Sequence, residues 1–516
     1  MTRLRRLLSV AVLAALVVFS CGCAGQQGAD TSICIAMAND VTSMNPADVR
    51  DLLSETVMRC IFSTLYVFDE QMNLVPCLAE SAERLSALEW VFRIREGVAF
   101  HDGSALTAED VCFSVERAMQ AKRVDSSLMV IDHLEAVDAR TLKVQTKAPY
   151  GNLPSLFVRL STSVLPKAAF DAGTYDFEHP IGSGPFKLSS RRPGKWLELE
   201  RFDQYFLEKA KSPFLRFVVT ASEQARTADL LNGKSDVVFQ ISSYDCNALK
   251  LNEDVTVYES PSAKMELMMF NPDCAPLREI KVREAIAHAV NRQKLVDNVL
   301  DGYGTLLDSA IAPPLIGAVD CGGRAYDPAL ARKLLAECGY PDGFELTALT
   351  YDTLRKKMME YIKLDLGQVG IRLSYEFLPL SDYLDAIQQG AYQCSVLSWV
   401  CYGDPDSVFS QLYSKDGMAT ANQSRYSDAR VEALIRAGRE ARNEQGRRAI
   451  YEEANRIVSE SYWFLPLYQP EVLVAAATDI AGIRINPQGL FGYESLYRAP
   501  SPLSKASRKD AACNCG

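Results

Sequence analysis

The stretch 90–114, WVFRIREGVAFHDGSALTAEDVCFS, predicts a strand, a turn and a helix in direct succession. Its first six residues alternate apolar side chains with others, a period of two that places the apolar ones on one face of a strand. The residues His101-Asp102-Gly103 then form a turn, because Gly tolerates a positive φ and Asp hydrogen-bonds its own backbone. Thr107 precedes Asp110 by three residues, which is the spacing of a capping box at the start of a helix.

Four later segments also have patterns that predict local structure. The sequence PIGSGPF at 180–186 places two glycines around one serine, which favours a tight crossing of the chain. The segment 282–302, VREAIAHAVNRQKLVDNVLDG, has apolar residues at helical spacing, and 431–459 has the pattern of one continuous amphipathic helix. Residues 395–399 predict a strand, and the loop 400–406, VCYGDPD, follows it directly.

The segments 90–114, 180–186, 282–302 and 395–406 resemble, in this order, the landmarks of the extracytoplasmic solute-binding proteins of ABC importers, family 5 (peptide/nickel-binding type). Residues 95–103 match that family's Arg-x-Gly-Val-x-Phe-x-Asp-Gly turn, and 180–186 is similar to its Pro-x-Gly-Thr-Gly-Pro-Tyr segment. The resemblance implies an α/β fold, two-lobed and periplasmic-binding-protein-like, of type II and of the large cluster with an extra domain.

The same resemblance implies a division of the chain into lobes, with the first lobe built from separate parts of the sequence. The expected parts are 1–22 as lipoprotein signal peptide and anchor region, 30–75 as the first part of lobe one, 76–184 as an inserted domain with the signature segment, 185–273 as the second part of lobe one, 274–469 as lobe two, 470–500 as the return segment of lobe one, and 501–516 as a disordered tail.

The loop after the strand 395–399 is the expected ligand site, because loops at strand ends display contact residues. Trp399 offers a stacking face, and Asp404 and Asp406 offer carboxylates to an amine or another cation. In the peptide-binding relatives an Asp three residues after the tryptophan holds the peptide α-amine, and here that position is Tyr402 in a loop one residue shorter. The nickel-binding branch has this loop length and a His after Asp-Pro, where this chain has Asp406.

Two further residues complete the predicted ligand-binding set. If the register of the family holds, Glu55 lies in the early segment where relatives place a ligand contact. Arg159 lies near a position that the nickel branch uses for a carboxylate. We expect both to face the cleft between the lobes.

The first residues have the features of a bacterial lipoprotein signal. Arg3, Arg5 and Arg6 precede an apolar run, 7–19, that is shorter than the roughly 20 residues a membrane-spanning helix needs. The sequence SCGC that follows resembles a lipobox, and Cys21 is the expected lipidated residue, with Cys23 as the alternative. The mature protein is then expected to be tethered to the cell membrane on its outer face.

Composition and cysteine pattern limit the class of protein. The chain has 516 residues, 48% hydrophobic and 23% charged, with a net charge of −10, so a large folded core is expected and nucleic acid is not an expected partner. Of the fourteen cysteines, the ten between 34 and 401 show no C-x-x-C spacing. We expect mostly free thiols, with one or two disulfides left open as the alternative, and no metal or cofactor. His288 is expected to be a hydrogen-bonded core histidine and His101 a loop residue.

The expected function is that of a substrate-binding lipoprotein that captures oligopeptides in an interlobe cleft and delivers them to a permease. The expected partners are a peptide or small-molecule ligand, ABC permease and ATPase subunits, and the membrane through the lipid anchor. The protein itself is expected to be a monomer and not an enzyme, since the four histidines include no H-E-x-x-H arrangement that would suit a hydrolase. The alternative is capture of a metal chelate such as nickel with a small organic ligand, and a ligand sensor is a further one.

Overall fold

The computed structural model describes residues 32–121, 126–401, 403–418 and 421–500. Its strands, in chain order, are β1 Ser32–Met37, β2 Tyr66–Phe68, β3 Leu74–Pro76, β4 Ala79–Arg84, β5 Glu89–Ile94, β6 Ile131–Asp138, β7 Thr141–Thr146, β8 Phe186–Arg192, β9 Trp196–Arg201, β10 Phe214–Val219, β11 Val237–Phe239, β12 Val255–Pro261, β13 Lys264–Phe270, β14 Gly304–Leu306, β15 Glu345–Thr350, β16 Arg372–Phe377, β17 Cys394–Val400, β18 Phe464–Ala477, β19 Ile480–Ala481 and β20 Tyr497–Arg498.

Helices alternate with these strands along most of the chain. They are α1 Leu52–Ile61, α2 Ala108–Met119, α3 Lys167–Asp171, α4 Glu223–Leu231, α5 Ser243–Leu249, α6 Ala275–Arg278, α7 Ile280–Ala289, α8 Arg292–Val299, α9 Pro328–Glu337, α10 Thr353–Gly367, α11 Leu380–Gln389, α12 Pro405–Leu412, α13 Ala429–Glu440 and α14 Glu444–Glu460.

One large mixed sheet runs through most of the described chain, in the order β16-β15-β17-β13-β18-β11-β1-β10-β9-β8, with β12 and β14 also paired to β18. The long strand β18 joins its two halves. Its first residues pair with β13, where Phe464 lies opposite Met269, and its last residues pair with β12, where Ala477 lies opposite Val255.

Buried side chains form separate cores on either side of β18. We call the part around β1, β9, β10 and β11 the first lobe; its core includes Ile35, Phe186, Phe217 and Val237. We call the part around β13, β15, β16 and β17 the second lobe; its cores include Met268, Ile286, Met358, Leu397 and Phe409. The domain boundaries expected from the sequence stay a prediction, and the expected boundary at 273/274 falls after β13, which packs with the second lobe.

A smaller sheet, in the order β4-β5-β7-β6, contains the strand at the start of the stretch 90–114. The predicted strand is β5 and the predicted helix is α2, which begins where the Asp110 carboxylate accepts hydrogen bonds from the Thr107 backbone N–H at 2.8 Å and hydroxyl at 2.9 Å. Helix and sheet enclose their own core, and we call this part the small-sheet domain; its core includes Phe92, Val111, Val115, Leu142 and Phe157.

The turn at His101 docks on the glycine segment 182–184, so two of the predicted landmarks meet in space. The His101 backbone N–H donates to the Gly182 carbonyl at 2.8 Å, and its ring joins the Gly182 N–H at 3.3 Å and the Gly184 carbonyl at 3.1 Å. A Cβ at Gly182 would collide with the Ile61 carbonyl at the end of α1, so only glycine fits this crossing. The prediction of a hydrogen-bonding loop histidine is confirmed.

The expectation of one continuous helix over 431–459 is wrong, because this segment forms two helices, α13 and α14, with a short non-helical stretch between them. The first helix ends at its C-cap Ala441, and Asn443 begins the second as the N-cap of α14, where its side-chain oxygen accepts from the Gly446 N–H at 2.8 Å. Because of this break, both helices reach the loop after β17, which is the predicted ligand site.

Two other expectations concern side chains in the interior. His288 is buried and its Nδ1 lies 2.8 Å from the Ala325 carbonyl oxygen, which confirms a hydrogen-bonded core histidine. The ten cysteines between 34 and 401 are all free thiols, which agrees with the expectation of mostly free thiols and leaves no disulfide among these ten. Burial raises the pKa of the Cys77 thiol to about 12, which keeps it protonated and unreactive.

Candidate functional site

Two cavities lie next to each other, and one of them is lined by the strand that joins the lobes. The first, of about 410 Å³, is lined by side chains of α1, the end of β11, β13 and β18, and we call it the hinge cavity. The second, of about 370 Å³, is lined by charged residues of the first lobe, by the small-sheet domain and by the start of α12, and we call it the charged cavity. Gln488 lines both, so the two cavities adjoin. Both are in the size range of small-ligand sites.

Glu55 and Arg159, the two predicted residues outside the loop, both line the charged cavity. Glu55 lies on α1 and accepts two hydrogen bonds from Arg59, at 2.7 and 3.1 Å, one helical turn later. Arg59 also donates to the Val158 carbonyl at 2.8 Å, which ties α1 to the chain just before Arg159. Arg50 adds a further guanidinium to the same cavity, so its lining favours an anionic group.

Asp404 lies at the N-cap of α12, where it accepts from the Asp406 N–H at 2.9 Å. It is only 3% exposed, and both of its oxygens accept from Arg447 of α14, one of them at 2.6 Å. Asn152 of the small-sheet domain donates to it at 2.9 Å. Burial by itself would raise the pKa of Asp404, but Arg447 and these hydrogen bonds hold it below the usual range.

Asp406 is equally buried and is held by a second arginine. Its carboxylate accepts from Arg439 of α13 at 2.8 Å and from the Tyr451 hydroxyl at 2.9 Å. Burial raises the pKa of Asp406, and Arg439 opposes that shift. Each of the two carboxylates is thus paired with an arginine of the same chain, and Asp404 also lines the charged cavity, so a contact of either carboxylate with a ligand cation stays a prediction.

Trp399 and Tyr402 complete the predicted loop site. Trp399 is half-buried and packs on the second-lobe core, whereas its neighbour Val400 lines the hinge cavity. The reason is that successive side chains of a strand point to opposite faces. Within the described ranges Trp399 is not among the residues lining either cavity, and Tyr402 lies outside those ranges. Gly403 has a positive φ of 58° and packs against the Phe68 ring, which lines the charged cavity.

Sequence reasoning missed the charged residues that line the hinge cavity, Glu223, Lys264 and Glu471. Glu471 is the single charged residue of the largely apolar strand β18, and that lone charge was the available signal. Lys264 pairs with the buried Glu266 at 3.2 Å.

Across 32–121, 126–401, 403–418 and 421–500, no group of three or more His, Cys, Asp or Glu side chains is placed to hold a metal ion. No helix in these same ranges is both long and apolar enough to cross a membrane.

Two lobes joined by a shared strand, with one cavity beside that strand and a second cavity adjoining the first, define a binding protein of the two-lobed type. The family described as bacterial extracellular solute-binding proteins, family 5 Middle, matches residues 73–420, which is more than half of the chain. The chain belongs to this family. It is therefore an extracytoplasmic solute-binding protein of an ABC importer and not an enzyme, as the sequence predicted.

Comparison with known proteins agrees with this assignment. The glutathione-binding protein GsiB of Pectobacterium atrosepticum is 27% identical over 480 residues, which cover 89% of this chain and 93% of GsiB. The structure of HbpA2 from Haemophilus parasuis superposes with a TM-score of 0.85 at 22% identity, covering 91% of this chain and all of that one.

A third similar structure is the periplasmic binding protein DppA from Helicobacter pylori, solved in complex with the peptide STSA. It gives a TM-score of 0.73 at 22% identity and covers 91% of this chain and 98% of DppA. These likenesses confirm the predicted α/β fold of the two-lobed periplasmic-binding-protein type.

Proposed function

We propose that this protein captures oligopeptides in the cleft beside β18 and delivers them to a membrane permease. The observation that carries the proposal is the pair of adjoining cavities, one largely apolar and one charged, with lining residues from both lobes. A peptide has a repeating polar backbone, apolar side chains and charged ends, and this combination matches a cleft with both kinds of lining. Relatives that bind glutathione or a peptide support the same class of ligand.

Ligand capture in this arrangement works by closure of the lobes around the ligand. Strand β18 is continuous between the lobes, and the other connection runs through β12 and β13, so rotation is concentrated in few segments. A peptide that contacts both lobes binds the closed form better than the open form, and this difference in affinity sets how far the equilibrium shifts. The closed form then presents the surface that the permease recognises.

We also propose that Cys21, with Cys23 as the alternative, carries the lipid that tethers the protein. Both cysteines lie outside the described residues, and the proposal rests on the SCGC sequence after the apolar run. Mass spectrometry of the protein from bacterial membranes is expected to find the diacylglyceryl group on the new N-terminal cysteine. An unmodified N-terminus beyond residue 23 would contradict it.

A thermal-shift screen tests the ligand class. Purified protein is heated with a mixture of tripeptides, with nickel alone and with nickel plus histidine. A ligand at a hundredfold excess over its dissociation constant stabilises the folded state by about 2.7 kcal/mol. We expect a shift with peptides only. A shift only with nickel plus histidine would replace the peptide proposal by the metal-chelate alternative, and no shift with either would reject both.

A further inference from the structure

Glu471 is an acidic residue near the middle of β18, at the point where the strand passes from one lobe to the other. It lies opposite Pro261 of β12, and its strand neighbours Val472 and Leu473 are apolar. Together with these neighbours it lines the hinge cavity. A carboxylate in such surroundings needs a partner, because a buried charged group without one is costly.

No partner is present for one of the Glu471 oxygens. Its Oε2 is buried and accepts no hydrogen bond from any residue that the structure describes. Burial raises the pKa of Glu471, nearby Glu259 adds to the rise, and Lys250 opposes it. A cation placed in the cavity would remove this penalty.

The other charged side chains that line the described part of the hinge cavity are already engaged. Lys264 is paired with Glu266 at 3.2 Å. Glu223 accepts a hydrogen bond from the Ser242 backbone N–H at 2.7 Å. Among the described residues that line the hinge cavity, Glu471 is therefore the one with a buried carboxylate oxygen that has no hydrogen-bond partner.

We propose that Glu471 binds the free α-ammonium group of the peptide ligand in the hinge cavity. An ammonium group supplies N–H donors and a positive charge. Glu471 Oε2 has no hydrogen-bond donor beside it among the described residues. The apolar walls from Leu52, Leu53 and Phe239 then receive the side chain of the first ligand residue. The inference rests on the proposed function, since it assigns one contact within that same cleft.

The neighbouring charged cavity gives the ligand a direction. Arg50 and Arg159 line it, and Gln488 is shared with the hinge cavity. A short peptide with its amine at Glu471 would extend its carboxylate toward these guanidinium groups. The ammonium end is placed in the hinge cavity because Glu471 lies there, whereas the arginines of the charged cavity would repel a positive charge.

Calorimetric titration with matched ligand mixtures tests the assignment. One mixture contains tripeptides with free α-amines and no lysine, and a second contains the same tripeptides N-acetylated. A third contains N-acetylated tripeptides with lysine. Each is titrated into the wild type, Glu471→Gln and the control Glu259→Gln. Glu259 pairs with Lys250 and is not among the described residues that line the hinge cavity, so this control removes the same charge from the next strand.

Acetylation is expected to weaken binding to the wild type and to Glu259→Gln by about tenfold or more, because a charge-assisted hydrogen bond is lost. In Glu471→Gln the two mixtures are expected to bind within about twofold of each other, since the contact is already absent. Continued discrimination by Glu471→Gln, or none by the wild type, would overturn the assignment. Glu471-dependent binding of the lysine mixture alone would assign a side-chain ammonium instead, and failure of every mixture to bind the wild type would reject the proposed function itself.

Discussion

The carboxylate of Asp404 is clamped by the guanidinium of Arg447, which donates to both of its oxygens inside the second lobe. The two side chains are 5% and 4% exposed, so neither charge is compensated by water. Asn152 adds a hydrogen bond from the small-sheet domain, which connects that domain to the second lobe through the same carboxylate. The loop after β17 is thus held in place by a buried ion pair.

Removing one partner of this pair is expected to destabilise the protein strongly. Arg447→Met leaves the Asp404 charge buried and unpaired, which costs about 3 to 5 kcal/mol of the free energy of unfolding. Arg448→Met is the matched control, because Arg448 is exposed and pairs with Glu444 on the surface, a contact worth less than about 1 kcal/mol. Urea unfolding measures both variants. Equal losses for the two would contradict a special role of the buried pair.

Gly182 is expected to tolerate no side chain. In Gly182→Ala the new Cβ collides with the Ile61 carbonyl, and the backbone must shift at a cost of about 2 kcal/mol or more. Gly367→Ala is the control, since Gly367 lies in α10 with open space around it and helix propensity favours alanine. Thermal unfolding should show a lower midpoint for the first variant and an unchanged or higher one for the second. A neutral Gly182→Ala would mean that the crossing is looser than its geometry indicates.

His101 makes the stability depend on pH. Burial lowers its pKa from 6.5 to about 4, against the opposing effect of its hydrogen bond to Gly184. The hydrogen bond from the Gly182 N–H needs an unprotonated Nδ1, so the folded state favours the neutral ring. This contribution to stability is full above pH 6.5 and is lost as the pH falls toward 4.

Between pH 7 and pH 4.5 the loss from His101 alone is expected to be about 2 to 3 kcal/mol. Urea unfolding of the wild type and of His101→Gln at both pH values isolates it, because the glutamine does not titrate. His179→Gln serves as control, since the His179 side chain is 87% exposed. If the wild type and His101→Gln lose the same stability over this interval, the assigned cause is wrong.

Arg159 is expected to contribute to ligand affinity through the peptide carboxylate. Arg159→Gln should weaken binding of tripeptides by about tenfold, as expected for loss of a charge-assisted hydrogen bond. Binding of the same tripeptides with amidated C-termini should change little. Arg216→Gln is the control, because Arg216 pairs with Glu198 on the sheet of the first lobe, away from both described cavity linings. An equal effect on free and amidated peptides would show that Arg159 acts on the shape of the site instead.

Local patterns in the sequence predicted the elements that short-range physics controls. The alternation in 90–94, the capping pair Thr107 and Asp110 and the helical face of 282–290 each depend on residues within one or two turns of each other. They are found in the structure as β5, α2 and α7. The break at Asn443 was missed because the amphipathic pattern continues across it, although an asparagine that caps a helix was visible in the sequence.

The sequence by itself predicted the family, the two-lobed α/β fold, local elements such as β5, α2 and β17, and the segment that carries the candidate ligand loop. Only the tertiary structure decided which acidic side chains are paired within the protein. Asp404 and Asp406 meet arginines 43 and 33 residues further along the chain, whereas Glu471 has an oxygen with no partner among the described residues. The physical reason is that the sequence shows only that a side chain is acidic. The residues that folding brings beside it decide whether its charge is paired within the protein or left without a partner there.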